Sequence, residues 1–500
     1  MKSRAEFLEL SREYNLIPIY DEFIADTETP ISLYKKLGLN TDYTYLLESS
    51  ENDRYSFIGL KPSAVIKNFD DYLEVCREGK KEKLEGKKII PYLQSFLDKL
   101  NVYEDEKLPP FSGGFVGYFN YEMIEKWEDI YHLETDKELK KDNTPLSLLV
   151  MSRVIIAYDH LHNTVKIINN IRLDKNLTEQ EKEKRYQKAK KEIEQVKNEI
   201  ENKKIPLEKK SSSKFSRERL KSNTDKEEFK KMVRKAKEHI RAGDIFQIVL
   251  SQKFSIENDL PPFKVYRALR SINPSPYSFY LNFPENQVIG SSPEVLVRVR
   301  DKKVMTRPLA GTRKRGKDAA EDLELKNDLL NDEKEKAEHT MLLDLGRNDL
   351  SRIAAKESVE VTELMEVEFY SQVMHIVSQV EAELRAGLDS LDVLKAVFPA
   401  GTVSGAPKIK AVELIDQLEK EARGVYAGTV AYLSFNGNLD SCITIRTFSL
   451  VEGRLNLQVG AGIVADSDPA KEYQETLNKG QALFNALKVV REDGIRDFSN

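Results

Sequence analysis

VYAGTVAYLSFNGNLDSCITIRTFSLVEGRLNLQVGAGIVA, residues 425–465, is three β-rich runs separated by Asn436-Gly437-Asn438 and Glu452-Gly453. Apolar runs parted by short glycine turns form an antiparallel meander. Pairing about the two turns sets Arg446 roughly opposite Gly428 and Val459, and gathers Tyr426, Arg446, Gly460 and Gly462 at one end of one sheet. There an arginine fork, a phenol and bare backbone can meet an anionic ligand. Alternatively, Arg446 pairs with a surface acid and the glycines mark bulges.

Outward from this stretch the chain divides into three zones. Residues 1–173 hold strand-like segments such as YTYLLES, RYSFIG, GGFVGYF and SRVIIAYD, with one candidate helix, KIIPYLQSFLDKL. Residues 174–223 are overwhelmingly Lys and Glu with sparse apolar residues, which reads as an exposed helix and a linker. Residues 224–490 concentrate glycine, proline and β-rich segments and form the better-defined domain.

Composition narrows the chemistry. With 500 residues the chain exceeds what a single core usually organises, so two packed domains or one large layered domain is expected. Charged residues are 32% of it, yet the signs nearly cancel to −5, so no global field points to nucleic acid or anionic membrane. Two cysteines, Cys76 and Cys442, have neither metal-ligand spacing nor the look of a disulfide framework, which fits a reducing compartment. The N-terminus lacks a signal-peptide core and the most apolar stretch is broken by Arg153, so a soluble cytoplasmic protein is expected.

Several segments could carry chemistry. Glu335 and Glu338 lie three apart on a strong helix pattern, and so do Glu472 and Glu475 on a helix that Asp468 and Pro469 open. Each pair alone is as readily a solvated face; two such helices across a cleft would suit Mg²⁺, which takes hard oxygen ligands. FPAGTVSGAPK runs from a glycine-rich turn through Pro407 into a helix, placing Gly401, Thr402, Ser404 and Gly405 at a carboxylate seat or at an ordinary capped helix entry. His375 falls on the polar face of a strand with Gln379 and Glu381, available for proton transfer or held as a structural histidine. Glu294 sits where a turn enters a strand, either functional or a surface acid.

In order, GDIFQIVLSQ, GSSPEVL, RPLAGTRKRG, EKAEHTMLLDLGRNDL, FPAGTVSGAPK, the meander and KEYQET resemble the chorismate-binding enzyme family. The match covers essentially the third zone, and the first zone looks like the N-terminal region of the family's aminating synthases. The resemblance implies an α/β fold of α+β type: a four-layer sandwich, helices outside two large antiparallel sheets, with the active site in the cleft between them. It implies Glu338 and Glu475 as Mg²⁺ ligands, assisted through water by Glu335 and Glu472. Chorismate would be held by Gly311, Thr312, Thr402, Tyr426, Arg446, Gly460, Ala461 and Gly462, with Glu294 as catalytic acid and His375 as base.

Water-adding relatives place a lysine base where this chain has Gln247, and aminodeoxychorismate synthases carry a nucleophilic lysine where it has Ala310. Both positions favour resemblance to the large subunits of anthranilate synthases, which make anthranilate and pyruvate in the first step of tryptophan synthesis. An aminodeoxychorismate synthase large subunit is the nearest alternative, and a non-catalytic tryptophan-sensing subunit another. Neither cysteine has the glycine-rich elbow that glutamine hydrolysis needs, so a partner glutamine amidotransferase subunit is implied; the resemblance implies a heterotetramer of two large and two small subunits. YLLESSENDRYSFIG and NPSPYSFY resemble the segments with which feedback-regulated relatives bind L-tryptophan. That resemblance puts Ser49 on one wall and Pro276, Tyr277 and Ser278 on the other; Ser278 departs from the methionine common there.

Overall fold

The computed structural model describes residues 1–48, 54–77, 79–128, 144–174, 176–206, 219–370 and 373–492. Its strands pair antiparallel in two large sheets. The first runs, neighbour to neighbour, through Lys221–Ser222, Gln247–Glu257, Arg454–Ile463, Thr447–Val451, Gln287–Ser292, Tyr277–Asn282 and Thr44–Glu48. The second runs through Gly114–Phe119, Thr429–Ser434, Leu439–Ile443, Val295–Arg300, Lys303–Thr306, Val373–Glu383 and Glu360–Phe369.

Two long strands, Tyr55–Asn68 and Ser147–Asp159, belong to both sheets. Their paired halves 55–60 and 154–159 continue the first sheet to Thr164–Arg172 and Leu16–Ile24, while 64–68 and 147–151 join the second, with the register shifting between Pro62 and Ala64. An irregularity that bends a strand lets a single chain change sheets there. Strands of the first and last sequence zones thus hydrogen-bond to each other in both sheets, at Thr44–Glu48 with Tyr277–Asn282 and at Gly114–Phe119 with Thr429–Ser434.

Separate apolar clusters mark the layer interfaces. Tyr45, Phe57, Phe111, Tyr118, Phe279, Val430 and Tyr432 fill the space between the sheets. Ile193, Val196, Phe263, Leu269, Leu483 and Leu487 belong to the cluster that seats helices Glu179–Asn202, Pro262–Ile272 and Gln481–Arg491 on the first sheet. Leu343, Leu350, Leu391 and Leu394 belong to the cluster under helices Glu333–Ser351 and Ser390–Val397. This is the expected helix, sheet, sheet, helix order.

Two local readings are corrected. The meander is not one sheet. Its first loop is Phe435-Asn436-Gly437, with Ser434 N–H on Asn438 O and Gly437 at φ +88°, so Thr444 and not Arg446 faces Gly428. Beyond Ile443 the chain leaves the second sheet; Arg446 adopts φ +51°, and Thr447–Val451 enters the first. The lysine- and glutamate-rich helix is also not free: a capping box at Thr178 starts it, and Tyr186, Ala189, Ile193, Val196 and Ile200 bury one stripe. The expected linker falls largely on 207–218, outside the described residues.

One buried ion pair fastens the segments around the sheet junction. Arg423 and Glu419, 4% and 6% exposed, bond at 2.7 and 2.9 Å. The guanidinium also donates to the carbonyls of Val249 and Val403, and Glu419 accepts from the Ser251 amide at 2.8 Å. Removing one member of such a pair strands an uncompensated buried charge. Glu419→Ala is therefore expected to cost about 3–5 kcal/mol of stability, read as a fall in denaturation midpoint.

Candidate active site

Neighbouring chain segments cross between the sheets side by side. Gln287–Ser292 lies in the first sheet and Val295–Arg300 in the second, so Glu294 sits on the first crossing; Arg446 sits on the other, between Leu439–Ile443 and Thr447–Val451. The crossings are bonded together: Ile443 N–H donates to Glu294 O at 3.0 Å, and Ser291 N–H to Arg446 O at 3.2 Å. Ser292 Oγ donates to Ile443 O at 2.6 Å and accepts from the Glu294 amide at 3.3 Å. A strand must drop its ladder bonds where it changes sheet, which is why polar side chains serve these backbone groups.

Around the junction the expected binding residues converge. Gly460, Ala461 and Gly462 stand opposite Ser251, Leu250 and Val249 on strand Gln247–Glu257. A methyl group at Gly460 would lie 2.5 Å from the Tyr426 hydroxyl and one at Gly462 2.8 Å from Gln247 Nε2, so neither position admits a side chain as the chain stands. Burial pushes Tyr426 up to about 12. Arg446 is partly buried, and desolvation lowers its pKa; among the described residues no carboxylate pairs with it, so the surface-acid alternative fails. A guanidinium so placed, beside a phenol and bare backbone, is set up for an anion.

The proton-transfer candidates are held in complementary states. Glu294 is 7% exposed, and burial pushes its carboxyl up to about 7, a rise the neighbouring Thr402 and Lys479 partly offset. Thr402 and Glu294 line one small cavity with Asp349, Gly401 and Pro308. His375 Nδ1 lies 2.9 Å from Thr312 Oγ1 and 3.2 Å from Gly311 O. Burial, together with the positive charges of Arg446 and Lys479, drives its imidazole down to about 4. One group thus keeps a proton near neutrality and the other is a neutral ring able to take one. The FPAGTVSGAPK turn differs in detail from its reading: Gly405 and Ala406 pair with Ile248 and Gln247, and Pro407 precedes helix Lys408–Leu418.

Glu335 and Glu338 lie on helix Glu333–Ser351, Glu472 and Glu475 on helix Pro469–Lys479. These helices face each other electrostatically: Lys479 lowers Glu338 on the opposite helix, and Lys334 lowers Glu472. Burial raises Glu338, as does the charge of Glu335; burial also raises Glu472, as does the charge of Glu475. Glu335 Oε1 lies 3.2 Å from Arg313 and Glu475 Oε1 2.8 Å from Lys479. Among the described residues no group of three or more acidic, histidine or cysteine side chains stands at ligating distance. Two repelling carboxylate pairs are nonetheless the hard-oxygen donor set that a divalent cation relieves.

Some contributors escaped the sequence reading. Lys479 acts on Glu294, Glu338, His375 and Glu472 together, yet in its sequence it looks like a helix-terminal lysine. Arg423 and Glu419 braced the junction without any local signature beyond their i, i+4 spacing.

Away from this centre, Pro276, Tyr277 and Ser278 line a separate cavity of about 320 Å³ with Leu47, Glu48, Arg54, Tyr55, Phe57, Tyr432, Asp440 and Cys442. Ser49 lies outside the described residues. Tyr277 donates to Asp440 at 2.9 Å, and Asp440 also pairs with Arg298.

A family model described as chorismate binding enzyme matches residues 43–485. Anthranilate synthase component 1 of Aquifex aeolicus (strain VF5) is 44% identical over 494 residues, 98% of each chain. That of Acetivibrio thermocellus is 43% identical over 492 residues, 97% of each chain. Anthranilate synthase component I from Streptococcus pneumoniae TIGR4 matches with a TM-score of 0.75 at 37% identity, over 92% of this chain and 99% of its own. The menaquinone-specific isochorismate synthase of Escherichia coli, at 20% identity and a TM-score of 0.71 over 97% and 100% of the two chains, shares the fold.

The raised Glu294 has a stability consequence of definite sign. Folded protein keeps this proton up to about pH 7, whereas the unfolded chain releases it near the ordinary glutamate value. Its contribution is full at acid pH and is lost as pH rises through that interval. Glu294→Gln should therefore gain thermal stability relative to the parent between about pH 4 and about pH 8, in parallel melting curves.

Proposed function

We propose that this chain, which belongs to the chorismate-binding enzyme family, is the large subunit of an anthranilate synthase and converts chorismate and ammonia to anthranilate and pyruvate. The observation that carries this reading is Arg446, placed on the sheet crossing without a carboxylate partner among the described residues, with a protonated-range Glu294 and a neutral His375 in the same centre. An acid, a base and an unsatisfied arginine together suit addition to and elimination from an anionic substrate better than they suit a pure binding module.

In this reading Arg446 and Tyr426 hold a substrate carboxylate, and Gly460, Ala461, Gly462, Gly311, Thr312 and Thr402 line the rest of the seat. Ammonia attacks ring carbon C2 while the C4–O bond breaks, and Glu294 delivers its proton to the departing hydroxyl, which leaves as water. His375, aimed by Thr312, then takes the C2 proton; the C3–O bond breaks, the ring becomes aromatic and the three-carbon unit leaves as pyruvate. The proton left on the attacking nitrogen returns to Glu294, and the proton taken by His375 goes to the methylene of the departing enolpyruvyl unit, which becomes the methyl of pyruvate. Mg²⁺ would be held by Glu338 and Glu475, with Glu335 and Glu472 assisting through water, and when bound would orient and charge-balance the ring carboxylate. Gln247, whose Nε2 lies 3.3 Å from Glu338 Oε1, cannot deprotonate water, and Ala310 offers no nucleophile, which disfavours the water-adding and aminodeoxychorismate alternatives.

Cys442 is buried and Cys76 lies on the sheet strand Tyr72–Arg77, so neither sits on a nucleophile elbow. Ammonia is accordingly supplied by a glutamine amidotransferase partner, in an assembly of two large and two small subunits. The cavity lined by Pro276, Tyr277 and Ser278 is read as the L-tryptophan inhibitor site, with the aromatic walls of Tyr55, Phe57 and Tyr432 and the charges of Arg54, Glu48 and Asp440 suiting an amino acid with a large ring. Ser278 in place of a long apolar side chain leaves the indole less tightly packed, so inhibition is expected to need more ligand than in relatives with methionine there.

Incubation of the purified chain with chorismate, Mg²⁺ and an ammonium salt at alkaline pH is expected to release fluorescent anthranilate, and glutamine is expected not to replace ammonium. Glutamine-driven turnover by the single chain would defeat the two-subunit reading. His375→Ala should slow pyruvate release more than amination, so that chromatography finds an aminated, pyruvyl-bearing intermediate; equal loss of both steps would reduce His375 to a positioning role.

A further inference from the structure

We propose that the small cavity beside Glu294 is a seat for buried water, kept open by Gly346, and that this water steadies the carboxylate left when Glu294 gives up its proton. The catalytic half of the proposal rests on reading Glu294 as the acid. The cavity, of about 40 Å³, lies between helix Glu333–Ser351 and the crossing at Glu294, with Leu342, Gly346 and Asp349 on its helix side. One buried water needs roughly 10–15 Å³ and about three polar partners.

Those partners are present. Thr402 Oγ1 is buried with no hydrogen-bond partner among the described residues, yet lies close enough to lower the Glu294 carboxyl. Asp349 is 7% exposed; its Oδ2 accepts from Lys408 Nζ at 2.8 Å, and among the described residues no donor meets Oδ1. Lys408 is itself anchored on the Val397 carbonyl at 2.8 Å. Glu294 lines the same space. A water there accepts from Thr402 and donates to Asp349 and Glu294.

The glycine tells why the room exists. In the middle of a helix glycine is costly, because it has more backbone freedom to lose than alanine. Gly346 stands inside a 19-residue helix, outside the left-handed region. A Cβ built on it would meet Thr306 Cγ2 at 3.4 Å and Pro308 Cγ at 4.0 Å, ordinary contacts, so packing admits alanine. Thr306 and Pro308 are cavity walls, and the methyl would therefore stand in the cavity. Gly401 in the same lining is different: a Cβ there would come 1.8 Å from Leu345 Cδ2, so packing itself demands glycine.

Burial raises the Glu294 carboxyl, and Thr402 and Lys479, the latter on helix Pro469–Lys479, offset part of the rise. Asp349, paired with Lys408, shares the cavity wall. When the proton passes to the departing hydroxyl a buried anion remains, and a hydrogen bond to the charged form stabilises it. The water supplies that bond without adding charge, and it separates Glu294 from Asp349.

Crystals of the full chain that show ordered water should place one within about 3.2 Å of Glu294, Thr402 Oγ1 and Asp349. In Gly346→Ala that water should be gone while the denaturation midpoint rises. Single-turnover measurements with chorismate, Mg²⁺ and a fixed concentration of free ammonia should show amination slowed by up to about tenfold, with chorismate affinity and the later release of pyruvate unchanged. Loss of the bond raises the carboxyl, so the pH at which amination falls as Glu294 ionises should move up by about one unit. A dry cavity in the parent chain would overturn the seat. Parental amination with an unmoved pH profile in Gly346→Ala would overturn the water's role, as would weaker chorismate binding without a pH shift, which is the mark of a methyl that merely crowds the substrate. Glu294→Gln that aminates at the parental rate would overturn the acid reading and the catalytic half with it, while the water positions in the two structures still decide the seat.

Discussion

A strand can donate its ladder bonds to one sheet at a time, and two adjacent segments of this chain have to change sheets at the same place. Glu294 and Arg446 are placed by that constraint. At 443–447 the backbone gives up β geometry, and the result is the left-handed Arg446, its carbonyl held by Ser291 and its guanidinium without a carboxylate among the described residues. At 292–295 the same necessity puts Glu294 in a pocket where burial keeps its proton. The junction is thereby walled by two sheets, where exclusion of water strengthens charge interactions.

That junction carries more unbalanced charge than a core tolerates, and the fold responds in two ways. In one place the charge is neutralised internally, as in Arg423 with Glu419, whose remaining hydrogen bonds are spent on the Val249, Val403 and Ser251 backbone. In the other, the acid pairs Glu335–Glu338 and Glu472–Glu475 repel, and Lys334 and Lys479 each oppose both Glu338 and Glu472.

Much of this was legible in the chain, for reasons that differ by element. Strands Thr44–Glu48 and Gly114–Phe119 and the helix that Asp468 opens carry local signals, periodicity and caps, and lie within a residue or two of their reading, whereas Tyr55–Asn68 and Ser147–Asp159 run well beyond the segments read for them. The ordered motifs carried the family and the layer order because each motif is short and tied to one function. What was misread is what depends on distant chain. The meander's first turn was shifted by one residue, which moves register by two, and nothing local in ITIRT signals that Arg446 must leave the strand. The helix Glu179–Asn202 was read as exposed because a sparse stripe of Tyr186, Ala189, Ile193, Val196 and Ile200 is outnumbered by charge.

The same crossing brings the cavity beside Tyr277 close to the sheet junction. The cavity wall Tyr277–Asn282 pairs with strand Gln287–Ser292, which runs into the crossing at Glu294, so one rank of hydrogen bonds separates the two. A longer path would have to move whole packed layers, and close-packed interiors resist small displacements spread over many contacts. Arg446, at φ +51°, is held in a conformation that its own backbone disfavours, and the Ser291 N–H on its carbonyl at 3.2 Å is one of the bonds that keeps it there.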